Sequence, residues 1–154
     1  MKDINGISLE DAMKAVEGVI GLAGAQDDDP IAITIIGTNG EVIIQAAMDG
    51  VMPGSIELSK NKAYTALMTK KETAFWADQE AESTRTGGPR LLENFTNDRF
   101  TFFPGGVPVK DKEGRIIGAV GVSGRKGRQE EKEAKLPQDH ELAHGAIGTL
   151  KKFC

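Results

Sequence analysis

Apolar residues recur along the chain at two spacings, which predict helices and strands. Near the N-terminus they recur every three or four residues, as on a helix with one apolar face: Leu9, Ala12, Met13, Val16, Val19 and Ile20. Ser8 precedes this face and Asp11 follows three residues later, which is close to a capping box at a helix start. Runs of β-branched and apolar residues predict buried strands at 31–36, 42–48 and 116–122. Asn39-Gly40, between the first two runs, is a strong hairpin signal.

Three further helices are predicted downstream. The stretch from Ser55 to Met68 is predicted to be the second helix. Thr69 to Glu72 has a capping-box pattern, which predicts a short third helix over residues 70–80. A final helix is predicted over 139–147, after a charged loop at 125–138 whose composition suggests flexibility.

Two short strands complete the predicted sheet. They lie at Phe100–Phe103 and Val107–Val109, and Pro108 favours an edge position for the second because proline cannot donate a ladder hydrogen bond. Hairpins separated by helices favour an α+β fold, in which helices cover an antiparallel sheet. We expect the first and last helices to share one face. A length of 154 residues predicts a single domain over 1–154.

Composition and charge exclude several classes of function. The formal net charge of −4 argues against a generic cationic nucleic-acid binder. No apolar run is long enough to span a membrane, and the N-terminus lacks a secretion signal. The single cysteine, Cys154, cannot form an internal disulfide or a cysteine metal cage. We therefore expect a cytoplasmic protein with no nucleic-acid or membrane partner.

Several cationic and phenolic side chains are candidates for binding a small acid. Lys62 lies on the small, polar side of the second helix, where it could hold a carboxylate or act with a lowered pKa. Tyr64, the only tyrosine, could donate a hydrogen bond or a proton. Arg90 follows a glycine-rich loop and could grip a planar carboxylate. The alternative for each is an ordinary surface or rim side chain.

Two glycine-rich segments could expose backbone N–H groups to a ligand. In Phe103-Pro104-Gly105-Gly106-Val107-Pro108, the glycines have little side-chain cover; the alternative is a β-bulge or a strand crossover. The segment from Val120 to Gly127 could form an anion nest; the alternative is a strand end that enters a solvated, charged loop. Neither the P-loop nor the dinucleotide-binding glycine pattern is present.

The two histidines form a metal-binding pattern. His140-Glu141-Leu-Ala-His144 matches H-E-x-x-H, in which the histidines bind zinc and the glutamate serves as a base. No third ligand is evident in the sequence, so a pair of titrating imidazoles is favoured over a metalloprotease. We therefore predict no metal.

The ordered set of motifs resembles the GlcG/HbpS-like haem-binding family, which also occurs as the C-terminal domain of PduO-type corrinoid adenosyltransferases. The resemblance spans residues 8–150 and rests on these segments: Leu9-Glu-Asp-Ala12, Met48-Asp-Gly50, Pro53-Gly-Ser55, Lys62-Ala-Tyr-Thr-Ala66, Phe103-Pro-Gly-Gly-Val-Pro108 and Gly118-Ala-Val-Gly-Val-Ser-Gly124. It implies a profilin-like fold, with a five-stranded antiparallel sheet and helices on both faces. It also implies a homo-oligomer with ligand pockets near subunit contacts.

For function, the resemblance implies binding of haem, another tetrapyrrole or another planar anionic ligand. The expected ligand-binding residues are Lys62, Tyr64, Arg90, Phe103, Gly105, Gly106 and Ser123. Haem-binding relatives can use an axial histidine near the first helix, whereas this chain has no histidine before His140. This chain therefore has no counterpart of that axial histidine, whereas the pocket is still expected.

Two other functions stay open. One is a cofactor-free lyase acting on a small aromatic acid such as 4-hydroxylaminobenzoate, with release of ammonium, in nitroaromatic degradation. Its catalytic residues would be Lys62, which holds the substrate carboxylate, and Tyr64 or Glu57 as general acid. The other is a structural or accessory subunit, in which the glycine motifs only shape an oligomer.

Overall fold

The computed structural model describes residues 6–95, 97–126 and 138–151. Within these ranges the chain forms helices and strands in the order α1 (Leu9–Gly24), β1 (Ala32–Gly37), β2 (Val42–Ala47), α2 (Pro53–Thr69), α3 (Thr73–Arg85), β3 (Gly106–Lys110), β4 (Ile116–Ser123) and α4 (Asp139–Leu150). A short 3₁₀ helix spans Leu91–Asn94. In these ranges no helix is both long and apolar enough to cross a membrane.

The strands form one antiparallel sheet in the order β2-β1-β4-β3. The predicted hairpin between β1 and β2 is confirmed: Gly40 adopts a φ of +80° and donates its N–H to the Gly37 carbonyl. Gly114 has the same positive φ in the turn between β3 and β4. The edge position of Pro108 is also confirmed, since β3 pairs only with β4.

Alternation along β1 sends its side chains to two different layers. Ile33 and Ile35 belong to the main core, which α1 and α4 cover. Thr34 points to the opposite face, where its hydroxyl lies 2.7 Å from the Ser59 hydroxyl of α2. The first and last helices therefore share one face, as predicted, while α2 packs on the other. Ser8 caps α1 as expected, accepting the Asp11 N–H at 3.1 Å.

The predicted number of strands is wrong, since the described residues contain four strands and not five. Phe100–Phe103, which was predicted as a strand, runs beside α2 instead, and the Thr101 N–H donates to the Thr65 hydroxyl. Aromatic residues suit strands by propensity, but here they pack on one another. The cluster contains Tyr64, Trp76, Phe95, Phe100 and Phe102.

The boundaries of the third helix also differ from the prediction. Thr69 is the last residue of α2 rather than a cap, and Lys70 follows it in the left-handed conformation with a φ of 57°. Glu72 is the N-cap of α3, but its side chain makes no capping hydrogen bond. Of the predicted charged loop at 125–138, residues 127–137 lie outside the described residues.

Candidate functional site

A cavity of about 460 Å³ lies where α2, the end of β4 and the start of α4 meet. Its lining combines apolar residues with polar and charged ones. The apolar lining residues are Leu58, Phe103 and Pro104. The polar and charged lining residues are Lys62, Ser123, Arg125, Lys126, Gln138, Asp139, His140 and Glu141. A volume of this size is within the range of about 300–1,000 Å³ that is typical of small-molecule sites.

A buried ion pair, Lys62–Asp139, forms part of the cavity lining. The Lys62 ammonium lies 3.0 Å from Asp139 Oδ2 and donates a second hydrogen bond to the Val122 carbonyl at 2.9 Å. The two side chains of the pair are only 3% and 10% exposed. An ammonium has three N–H donors, and two of them have protein partners among the described residues. One donor is therefore left for a ligand.

Burial changes the proton affinity of both members of this pair. Removal from water lowers the pKa of Lys62 and raises the pKa of Asp139, because each loses solvation of its charged form. Their mutual attraction opposes both shifts, and the Arg125 N–H adds to this by donating to Asp139 Oδ1 at 2.9 Å. Such a pair is costly to bury unless it is well hydrogen-bonded.

A second buried ion pair holds Arg125, another residue of the cavity lining. The Arg125 guanidinium is fully covered, and its Nη1 lies 2.9 Å from Asp28 Oδ2. Burial acts to raise the pKa of Asp28, but the N–H of Asp29 and the Arg125 charge outweigh it and hold this pKa below its usual value. The Arg125 guanidinium is thus covered as well as paired, whereas the Lys126 side chain is 76% exposed although it lies 3.8 Å from Asp29, so Lys126 is better placed than Arg125 to meet an external anion.

The two central glycines of the Phe-Pro-Gly-Gly-Val-Pro motif serve packing. Gly105 has a φ of +129°, and a methyl group there would overlap the Val122 carbonyl oxygen and lie 3.1 Å from the Lys62 side chain. A methyl group at Gly106 would overlap the Lys62 carbonyl oxygen. The Gly106 N–H donates to Thr73 Oγ1 at 2.9 Å, so it is not available to a ligand as the sequence suggested. These glycines let the chain pass close to Lys62.

Of the predicted ligand-binding residues, the structure brings Lys62, Phe103 and Ser123 to one cavity. It places Tyr64 elsewhere, because a residue two positions along a helix points about 200° away. The Tyr64 hydroxyl accepts the Asn97 side-chain N–H at 3.0 Å. Arg90 is exposed and lines separate cavities beside the aromatic cluster.

The predicted catalytic set is not assembled in the structure. Glu57 is exposed on α2 and is absent from the lining of the Lys62 cavity, and Tyr64 is absent from it as well. A general acid must come within hydrogen-bond reach of the group that it protonates. The lyase alternative therefore gains no support from this geometry.

Six polar residues of the cavity lining were not among the expected ligand-binding residues: Arg125, Lys126, Gln138, Asp139, His140 and Glu141. Asp139 lies 77 positions from its partner Lys62, and no local pattern links two residues so far apart. Arg125 was considered only as part of an anion nest. His140 was considered only as a metal ligand, yet it lines the cavity beside Asp139. The only sequence signal for these residues was the group of charged residues at the start of α4.

Comparison with known proteins gives a consistent result. The family model described as "Haem degrading protein HbpS-like" matches residues 7–146. An uncharacterised 15.0 kDa protein from the dhaT-dhaS intergenic region of Citrobacter freundii is 30% identical over 152 residues, covering 99% of this chain and 97% of that protein.

Two solved structures have the same fold. Protein ORFY of Klebsiella pneumoniae superposes with a TM-score of 0.73 at 25% identity, covering 97% of this chain and 96% of its own. A PduOC:heme complex gives a TM-score of 0.72 at 23% identity, with 94% of each chain covered. The family match spans nearly the whole described fold, and the chain therefore belongs to the HbpS-like family.

Proposed function

We propose that this protein binds a planar, anionic small molecule of the haem or tetrapyrrole type in the Lys62 cavity. The observation that carries the proposal is the buried Lys62–Asp139 pair in the lining of a cavity that also contains the apolar residues Leu58, Phe103 and Pro104. A ring system can pack on apolar side chains while its carboxylates reach the cations, and this division of labour is typical of ligand sites.

The residues of the cavity fit such a group. Phe103 is 65% exposed although it is apolar, and with Pro104 it offers a surface for a flat ring. Lys62 and Lys126 line the cavity and are the cations that would bind a carboxylate of the ligand. His140 is the imidazole that lines the cavity, so it is the candidate for contact with a haem iron. Haem, when bound, would supply redox and ligand chemistry of its own.

The comparisons support haem among planar ligands. The matching family model is named for a haem-degrading protein, and the PduOC structure of the same fold is a haem complex. The predicted homo-oligomer stays a prediction, as does the lyase role on an aromatic acid.

Titration with hemin tests the proposal directly. We expect a saturable Soret shift at one hemin per chain, and protoporphyrin IX, which lacks iron, should compete for the cavity. The paired variant Lys62→Met/Asp139→Asn removes the ammonium without leaving a buried charge. It should bind about 10-fold or more weaker, since a charge-assisted hydrogen bond contributes about 1.5–3 kcal/mol.

The matched control for this experiment is Lys60→Met, on the same helix but outside the cavity lining. It should bind hemin as the parent does. Non-saturating binding, or equal affinities for the control and the paired variant, would contradict the proposal.

A further inference from the structure

Three side chains meet where the start of α3 faces α4, and two of them, Glu72 and His144, do not line the Lys62 cavity, whereas His140 lines it as well. Glu72 Oε1 lies 2.9 Å from His144 Nε2, and Glu72 Oε2 lies 3.9 Å from His140 Nε2. One ligand-capable atom from each of the three side chains falls within 4.8 Å of the others. The two imidazole ring centres are 4.6 Å apart. The sequence supplied the histidine pair, and the fold supplies the third ligand.

Local structure explains why these groups converge. His140 and His144 are four residues apart in α4, so they project from the same face of the helix. Glu72 is the N-cap of α3, but its carboxylate leaves its own helix end without a side-chain cap and reaches the histidines instead. The contacts that the structure gives to the Glu72 carboxylate in this cluster are therefore those with the two imidazoles.

The donor set fits one class of metal ion. Two imidazole nitrogens and one carboxylate oxygen suit Zn²⁺ and its first-row neighbours such as Co²⁺ and Ni²⁺, whereas Mg²⁺ and Ca²⁺ prefer oxygen ligands. Bonds of about 2.0–2.2 Å place the ligand atoms of a tetrahedral ion about 3.4 Å apart. Small side-chain rotations would bring the present separations to that value.

We propose that Glu72, His140 and His144 bind a divalent first-row transition-metal ion of the Zn²⁺ type. The three side chains are between 32% and 44% exposed, so an ion can enter from solvent and keep an open position for water. This arrangement differs from the H-E-x-x-H site of metalloproteases. Glu141 is engaged in capping α4, where its carboxylate accepts the Gln138 N–H at 3.0 Å.

The charged residues around the cluster also affect which ion can bind. Glu72 and His144 also line a neighbouring cavity of about 300 Å³ that contains four lysines: Lys70, Lys71, Lys110 and Lys151. Their positive charges oppose any cation held by charge alone. Binding therefore depends on the imidazole nitrogens, and Mg²⁺ should not bind where Zn²⁺ does.

Titration of the hemin-free protein with Zn²⁺ and Co²⁺ tests the site. A Cys154→Ser background removes the single cysteine, and because the chain has only two histidines the remaining imidazole ligands are these two. We expect one Zn²⁺ per chain by calorimetry, no binding of Mg²⁺, and visible d–d bands with Co²⁺ whose intensity reports a low coordination number.

Matched variants assign the ligands. His140→Ala, His144→Ala and Glu72→Gln should each weaken Zn²⁺ binding at least about 10-fold, since even outer-shell changes cost that much. Glu141→Gln makes the same charge change in α4, and a glutamine is compatible with a capping box, so this control should bind Zn²⁺ as the background does.

Failure to bind Zn²⁺ saturably, or Zn²⁺ binding that survives the Glu72 and histidine changes, would overturn the proposal. Circular dichroism of each variant separates loss of the site from loss of the fold. Because no hemin is present, a negative result here leaves the ligand cavity untouched.

Discussion

Replacement of one member of the Lys62–Asp139 pair should destabilise the fold far more than replacement of both. Lys62→Met leaves a carboxylate that is only 10% exposed without its counter-charge. Breaking a buried pair in this way costs about 3–5 kcal/mol. We expect the lower end, because the Arg125 N–H still donates to Asp139 at 2.9 Å. For a chain of this length, 3 kcal/mol corresponds to a fall in Tm of about 6–12 °C.

Asp139→Asn instead leaves the Lys62 ammonium without its counter-charge. The resulting loss of folding stability should depend on pH. Burial lowers the pKa of Lys62 in the folded chain, whereas the unfolded value stays near 10.5. Between the folded pKa of Lys62 and pH 10.5, the unfolded variant therefore binds more protons than the folded one. The stability of this variant should accordingly rise as pH increases toward 10.5, because the lysine can become neutral in the fold.

The double variant Lys62→Met/Asp139→Asn removes both charges and keeps similar volumes. Its free energy of unfolding, measured by urea denaturation, should exceed the value expected from the two single changes by about 2 kcal/mol or more. Lys60→Met, which is partly exposed on the same helix, should change stability by less than about 0.5 kcal/mol. Additive single effects, or single effects below about 1 kcal/mol, would refute the coupling.

Two further predictions follow from close packing and from the second ion pair. Gly121→Ala should destabilise the fold by about 2–3 kcal/mol in urea denaturation, because the added methyl group would overlap the Ser59 carbonyl oxygen of α2. The matched control is Gly145→Ala in α4, where the added methyl group has open space and should not destabilise the fold. Asp28→Asn should cost stability at neutral pH but little in acid: the folded pKa of Asp28 lies below its unfolded value of about 3.8, so its contribution is present above pH 3.8 and is lost as pH falls through the folded pKa. A difference between Asp28→Asn and the parent that persists at the lowest pH of an acid titration would contradict the second prediction.

Local signals made much of the fold predictable from sequence. The Ser8 cap and the Asn39-Gly40 turn depend on residues within a few positions of one another, and both were predicted correctly. Phe100–Phe103 could not be assigned in the same way. Its aromatic residues suit a strand equally well, and the choice is decided by distant partners such as Trp76 of α3.

The site was predictable only where one residue carried the signal. Lys62 was singled out because a lysine on the small, polar side of the second helix could hold a carboxylate or act with a lowered pKa. Its partner Asp139 and the metal-cluster member Glu72 could not be found, since both meet their partners only after helices from distant parts of the chain pack together. Tyr64 was predicted because the only tyrosine could donate a hydrogen bond or a proton, but it is not in the lining of the Lys62 cavity, and its hydroxyl accepts the Asn97 side-chain N–H.

The glycine motifs determine the position of the buried lysine. Gly121 lets α2 approach β4 until the Ser59 carbonyl is in contact, and Gly106 lets β3 approach the carbonyl of Lys62 itself. That closeness brings the ammonium within 2.9 Å of the Val122 carbonyl, at the strand end where Asp139 also arrives. Because larger side chains would push α2 outward, they would withdraw the ammonium from both partners. The glycines therefore act on a ligand through the position of Lys62, and Gly121→Ala should weaken hemin binding even where the protein stays folded.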